Sequence, residues 1–223
     1  MSLADDAPET EPRQAWVVVW ACFTALAVIF GVSYSFAAFF GPLQQQFAAT
    51  RADVSMLFGV SGLIYFVLGA GAGMLADRFG PRVVTSVGMR FIAGGLLGAS
   101  FAASLLGVIV AYGLGLGIGI ALVYTPAIAC VQPWFTRRRG MAAGLASAGI
   151  GAGTLVGPLL VTALLAWSDW RVTLRVVAAV VLLLGLAATL LLQRAPAATA
   201  GARAVAGTPL GQALASPSYR WLC

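Results

Sequence analysis

Apolar residues dominate this chain in six runs, at about 15–40, 54–76, 83–104, 107–132, 140–167 and 172–192. Each is long enough for the roughly 20 residues that a helix needs to cross a bilayer core. Between Phe91 and Thr136 there is no charged residue. That stretch is too long for one helix, so the chain must turn inside it, and Ala103-Ser104-Leu105-Leu106-Gly107 is the predicted place. The pattern predicts an all-α membrane protein, a six-helix transmembrane bundle over residues 15–192. A tail at 1–14 precedes it. From Gln193 to about Ser216 the chain turns to Ala, Gly, Pro and Thr, a composition that cannot bury a core, so 193–223 reads as a linker.

Composition fixes the solvent. With 61% hydrophobic and 9% charged residues, no soluble domain of this size could clothe its surface, and the lipid bilayer is the first partner. The net charge of +6 comes from arginines, since there is no lysine. They lie singly or in one short cluster beside apolar spans, which is a topology signal and not a nucleic-acid footprint. One side collects Arg13, Arg78, Arg82, Arg137, Arg138, Arg139 and Arg194, and the other only Arg51 and Arg171. The first side is predicted to be cytoplasmic, with both termini. The chain has no histidine, and its three cysteines, Cys22, Cys130 and Cys223, are far apart in sequence. The usual soft ligands therefore assemble no metal cluster, and no cofactor is expected. Four acids before Gln14 are the wrong sign for a secretory signal, so the first run is expected to stay as a span. Arginine without lysine, together with abundant alanine, suggests GC-rich DNA and hence a bacterial inner membrane.

Between the second and third runs lies Gly73-Met74-Leu75-Ala76-Asp77-Arg78-Phe79-Gly80-Pro81-Arg82. Gly73 lets a neighbouring helix come close, Asp77 can cap or pair across the turn, and Gly80-Pro81 ends one helix and starts the next. Arg78 and Arg82 hold the turn on the cytoplasmic face; the alternative is that the whole turn is only such an anchor. The pattern G-x-x-x-D-R-x-G-x-R resembles the signature loop of the major facilitator superfamily, except that Val83 stands where the family often has a second basic residue. That resemblance implies the N-terminal half of a twelve-helix fold, built from two inverted three-helix repeats. It also implies a second six-helix half as partner, either further along the protein or in another chain.

A second constellation runs from Tyr124-Thr125-Pro126 through Gln132-Pro133-Trp134-Phe135 and Arg137-Arg138-Arg139 to Ala142-x-Gly144 and Gly149. It resembles the monocarboxylate transporter branch, as does the aromatic stretch Gly31-Val32-Ser33-Tyr34-Ser35-Phe36 in the first run. The better-known members of that branch carry a lysine shortly after this stretch, associated with proton and carboxylate binding; here Ala37-Ala38-Phe39 stand there. Arg137, Arg138 and Arg139 are either a topology anchor or a cytoplasmic latch pairing with Asp77 or with the cytoplasmic loops of the other half. Gly144, Gly153 and Gly157-Pro158 resemble the fifth-helix motif of drug and proton antiporters, and read physically as a pliant packing face or hinge. Gly113, Gly115, Gly117 and Gly119 lie in an uncharged run with no strand before them. That excludes a dinucleotide loop and points to close helix approach.

Charge inside a membrane is costly, so each deep ion is a functional candidate. Arg90 lies about 12 Å past Arg82 along a helix. It either snorkels back to the surface or points inward as this half's deep cation for a carboxylate. Tyr34, Tyr65 and Tyr124 place hydroxyl donors in spans one, two and four. Tyr34 and Tyr124 rank first, because the resemblance implies that the first and fourth helices line the central cavity. The expected function is secondary transport of small organic anions by alternating access, with no bond made or broken. A drug or metabolite efflux antiporter is the rival, and a non-transporting membrane sensor or assembly partner is a third reading.

Overall fold

The computed structural model describes residues 13–135 and 137–194, which are helices and the turns between them. The predicted tail and linker lie outside the described residues, apart from Arg13, Gln14, Gln193 and Arg194. Six helices are long and apolar enough to cross a membrane: α1 (Arg13–Phe47), α2 (Arg51–Phe79), α3 (Pro81–Phe101), α4 (Leu105–Trp134), α5 (Arg139–Trp167) and α6 (Trp170–Leu191). Each corresponds to one predicted run.

The turns have local causes. Thr50 starts α2 with a reciprocal capping box: its hydroxyl accepts from the Asp53 N–H at 3.2 Å, while Asp53 accepts from the Thr50 N–H at 2.9 Å, so two orphan donors of the first turn are satisfied together. Gly80 joins α2 to α3 at φ 92 and ψ 147, a region that only glycine enters without strain, and Pro81 follows at the first position of α3. The uncharged stretch breaks at Ala102–Ser104, one residue earlier than the predicted segment. Ser104 caps α4 by accepting from the Gly107 N–H at 3.2 Å, which draws Leu105 to Gly107 into the helix.

Three helix contacts are extensive, α1 with α5, α2 with α4 and α3 with α4, and α6 lies against α3 and α1. Exchanging α1 with α4, α2 with α5 and α3 with α6 turns the first pair into the second. Burial follows the exchange for two of the three pairs: α1 and α4 are buried alike and α2 and α5 are equally open, whereas α3 is more buried than α6. The bundle thus has two three-helix repeats, α1–α3 and α4–α6, that correspond in their main pairing and differ in how deeply the third helix packs, the arrangement expected of half a facilitator fold.

Missing side chains make the contacts close. A Cβ on Gly149, Gly153 or Gly157 of α5 would collide with the backbone of Phe23, Ala27 or Gly31 of α1. In α4 the every-second-residue glycines divide between two neighbours: Gly113 and Gly117 face Val60 and Ile64 of α2, whereas Gly115 and Gly119 face Gly95 and Gly88 of α3. Helical geometry requires this, since positions four apart share a side and positions two apart lie nearly opposite.

Polar groups staple α6 at both ends. Arg171 donates to the Ser100 and Ala102 carbonyls at 2.9 Å each, satisfying the open end of α3 and meeting its negative dipole. Arg175 reaches the Ser100 hydroxyl at 3.3 Å and lies over the Phe101 ring at 4.5 Å. Near the other end, the Ser86 and Thr189 hydroxyls meet at 3.0 Å, and the Trp134 indole N–H donates to the Gln193 carbonyl at 3.0 Å.

Candidate functional site

The three predicted tyrosines come together although they belong to three helices. Tyr65 of α2 meets Tyr124 of α4 edge to face at 5.9 Å, and Tyr124 meets Phe30 of α1 at 5.7 Å. Phe30 leads to Tyr34 at 6.3 Å, and Tyr34 to Phe58 of α2 at 6.4 Å. The result is one arc of five rings across α1, α2 and α4. Edge-to-face pairs of this kind contribute about 0.5–1.5 kcal/mol each beyond buried area, which fixes the relative rotation of the three helices. Tyr34 is nevertheless 51% exposed and Phe58 43% exposed. None of the three hydroxyls makes a hydrogen bond among the described residues; the tyrosine hydroxyl that does belongs to Tyr112, which reaches the Val32 carbonyl. Phe30 and Phe58 complete the arc and escaped the sequence reading. Their signal was spacing, since Phe30 and Tyr34 are four apart and Phe58 and Tyr65 seven apart, both on one helix face.

The α1 backbone beside the arc is irregular. Ser35–Phe39 forms a 3-10 turn inside α1, and the Ser35 hydroxyl donates back to the Gly31 carbonyl at 2.6 Å, a bond that competes with the helix ladder and bends it. Ala37, Ala38 and Phe39, where the resemblance places a lysine, fall within this turn.

At the arginine-rich end, Gly73, Ala76, Asp77 and Pro81 of the signature turn line a cavity of about 360 Å³, closed on its other side by Pro126, Cys130, Pro133 and Arg194. Arg78 and Arg82 are exposed beside it. At the signature turn, Arg194 donates to the Ala76 carbonyl at 2.7 Å and also to the Asp77 carbonyl. Arg139 turns back on its own approach and donates to the Phe135 carbonyl at 2.6 Å. Arg137 and Arg138 are exposed at the start of α5. The physical reason lies in the preceding aromatic pair. Phe135 is fully buried, with its ring 5.2 Å from Trp16, and Trp134 is tied to Gln193, so the turn before α5 is anchored to α1 and α6.

Two further candidates stand elsewhere. Arg90 is exposed and lines a groove between α3 and α4 with Val87, Phe91, Gly94, Ala111 and Gly115, outside the tyrosine arc. Arg90→Gln is therefore expected to leave the apparent affinity for a transported anion within about twofold, as for sites without shared partners; saturation curves for uptake measure it, and a larger shift would return Arg90 to the solute site. Gly144 has nothing within 4 Å of where a Cβ would stand, so it does not belong to the α1–α5 seam. Gly149 takes that place beside Gly153 and Gly157. Pro158 follows within α5, where its missing N–H weakens the ladder at the seam's end.

The sequence matches the Major Facilitator Superfamily over residues 21–222. The chain belongs to that superfamily. It is a multi-pass membrane protein of a transporter family. Among curated relatives, Monocarboxylate transporter 13 of Bos taurus is 38% identical over 165 residues, covering 74% of this chain and 38% of the relative. Monocarboxylate transporter 13 of Rattus norvegicus is 37% identical over 174 residues, covering 76% and 40%. The fujikurins efflux protein of Gibberella fujikuroi is 30% identical over 183 residues, covering 80% and 39%. This superfamily member thus spans about two fifths of the length of these relatives.

Proposed function

We propose that this chain supplies the N-terminal six-helix half of a secondary transporter that moves small organic anions of the monocarboxylate kind by alternating access. The observation that carries the reading is the arc of Phe30, Tyr34, Phe58, Tyr65 and Tyr124, whose three phenols have no hydrogen-bond partner among the described residues and lie on helices that include α1 and α4. In the proposed state this face lines the central cavity, and a second six-helix half supplies the opposite wall. The likeness to Monocarboxylate transporter 13 supports the solute class. The arginine asymmetry supports cytoplasmic placement of the signature turn and of both ends of the six-helix unit. The animal and fungal relatives add nothing to a bacterial inner membrane, which rests on composition alone.

In this mechanism the phenols donate to the carboxylate, and the α1–α5 and α2–α4 seams let each repeat move as a unit while the two halves rock. Gly73, Asp77, Arg78, Gly80 and Arg82 form the gating turn, and Arg137–Arg139 meet the opposite half when that end closes. Efflux antiport is the second reading, supported by the fujikurins efflux relative and by the Gly153, Gly157-Pro158 face of α5. Counterflow in proteoliposomes made with the intact transporter separates the two. Exchange of labelled lactate or pyruvate, with no exchange of cationic dyes, is the expected result. Dye exchange without acid exchange would reverse the order.

A further inference from the structure

The aromatic arc has no fixed charge within it. Its members are two phenylalanines and three tyrosines, and Arg90 lies in the separate α3–α4 groove. An anion meeting this wall finds neutral hydroxyl donors and ring surface. The ring contacts are mainly edge to face: Tyr65 with Tyr124 at 89°, Phe30 with Tyr124 at 74° and Tyr34 with Phe58 at 70°. Such contacts use the edge of one ring against the face of the next and leave ring surface open along the arc. The openness is greatest at Tyr34 and Phe58, which are 51% and 43% exposed although each touches other rings. Phe36, which is buried, stacks on Phe58 at 6.0 Å and 22°, so Phe58 is backed by a second ring while it stays 43% exposed.

We infer that the solute is a carboxylate bearing a planar unsaturated or aryl group, in preference to a short hydroxy or keto acid. This inference rests on the transport reading proposed above. A two- or three-carbon acid engages the phenols but covers little of the exposed ring surface. An aryl acid does both: its carboxylate accepts from the hydroxyls, and its ring stacks offset or edge-on against Tyr34 and Phe58. Selectivity then comes from apolar area removed from water, while the neutral donors orient the acid without the strong binding that a buried cation would give.

Pyruvate and phenylpyruvate share one head group and differ by the ring, so uptake of the two by the intact transporter in proteoliposomes tests the inference. Phenylpyruvate is expected to half-saturate at a concentration roughly tenfold lower. Phe58→Leu should raise its half-saturating concentration by about three- to tenfold and that of pyruvate by a smaller factor, while Tyr34→Leu, which removes a phenol as well as a ring, should raise both, that of phenylpyruvate more. Tyr124→Phe keeps the ring and removes the hydroxyl, so it should raise both by a similar factor. Pyruvate saturating at the same or a lower concentration than phenylpyruvate would overturn the inference, as would leucine variants that shift both acids alike, since the arc would then be packing. Should the leucine variants fail to fold, the comparison on the unaltered transporter decides. Transport of neither acid would defeat the carboxylate reading itself, and the inference with it.

Discussion

Gly153→Ala is expected to lower the stability of the detergent-purified protein by about 2–3 kcal/mol, whereas Gly144→Ala raises it by up to about 1 kcal/mol. Both substitutions add one carbon to the same helix. At Gly153 that carbon meets the Ala27 backbone across the α1–α5 seam, and backbone cannot rotate away as a side chain can, so the two helices must separate. Separation forfeits contacts along the whole seam, including those at Gly149 and Gly157. At Gly144 the space is open, and alanine's higher helix propensity acts alone. Thermal unfolding followed by circular dichroism measures both. Equal effects of the two substitutions would remove the seam from the account of what holds α1 to α5.

Arg194→Ala should cut transport by the intact protein about fivefold, the factor that 1 kcal/mol gives, while insertion and folding persist. Arg194 donates to two carbonyls in the last turn of α2, where the helix dipole is negative; the Ala76 carbonyl also accepts from the Gly80 N–H at 2.9 Å. Such charge-assisted bonds contribute up to about 3 kcal/mol in a dry site, and solvent at this exposed end reduces that to about 1 kcal/mol. The loss is too small to unfold the bundle and falls where α6 holds the signature turn. Asp77→Asn leaves both carbonyls in place and removes only the charge, so it separates the two roles of this turn. Reduced flux with normal insertion is expected if the carboxylate takes part in gating. Unchanged flux with Asp77→Asn but a loss with Arg194→Ala would assign the turn's importance to its backbone alone.

Much of the fold could be read along the chain because its causes are local. The Gly80-Pro81 corner rests on adjacent residues and was read from them; the Thr50–Asp53 cap is equally local but emerged only in the structure. The turn at Ala102–Ser104 was foreseen from the length of an uncharged stretch, although only the Ser104 cap sets its exact start. The tyrosines were legible as hydroxyl donors in a membrane. Their grouping was not, because it requires α2 and α4 to turn one face toward α1. Arg194 was counted only as a topology charge, since a side chain that serves backbone carbonyls more than a hundred positions away leaves no sequence pattern.

The sequence by itself determined six spans, the charged and uncharged ends, the signature turn and the superfamily, since each depends on runs of residue type or on short spacing. Only the tertiary structure decided that α1 pairs with α5 and α2 with α4, that Gly149 and not Gly144 completes the seam, and that Arg90 stands apart from the tyrosines. The physical reason is that these helices are apolar nearly all round. In a soluble protein a polar stripe marks the outward side of a helix. Here lipid and protein interior accept the same side chains, so rotation and partner are set by where glycine lets backbones touch and where rings meet edge to face.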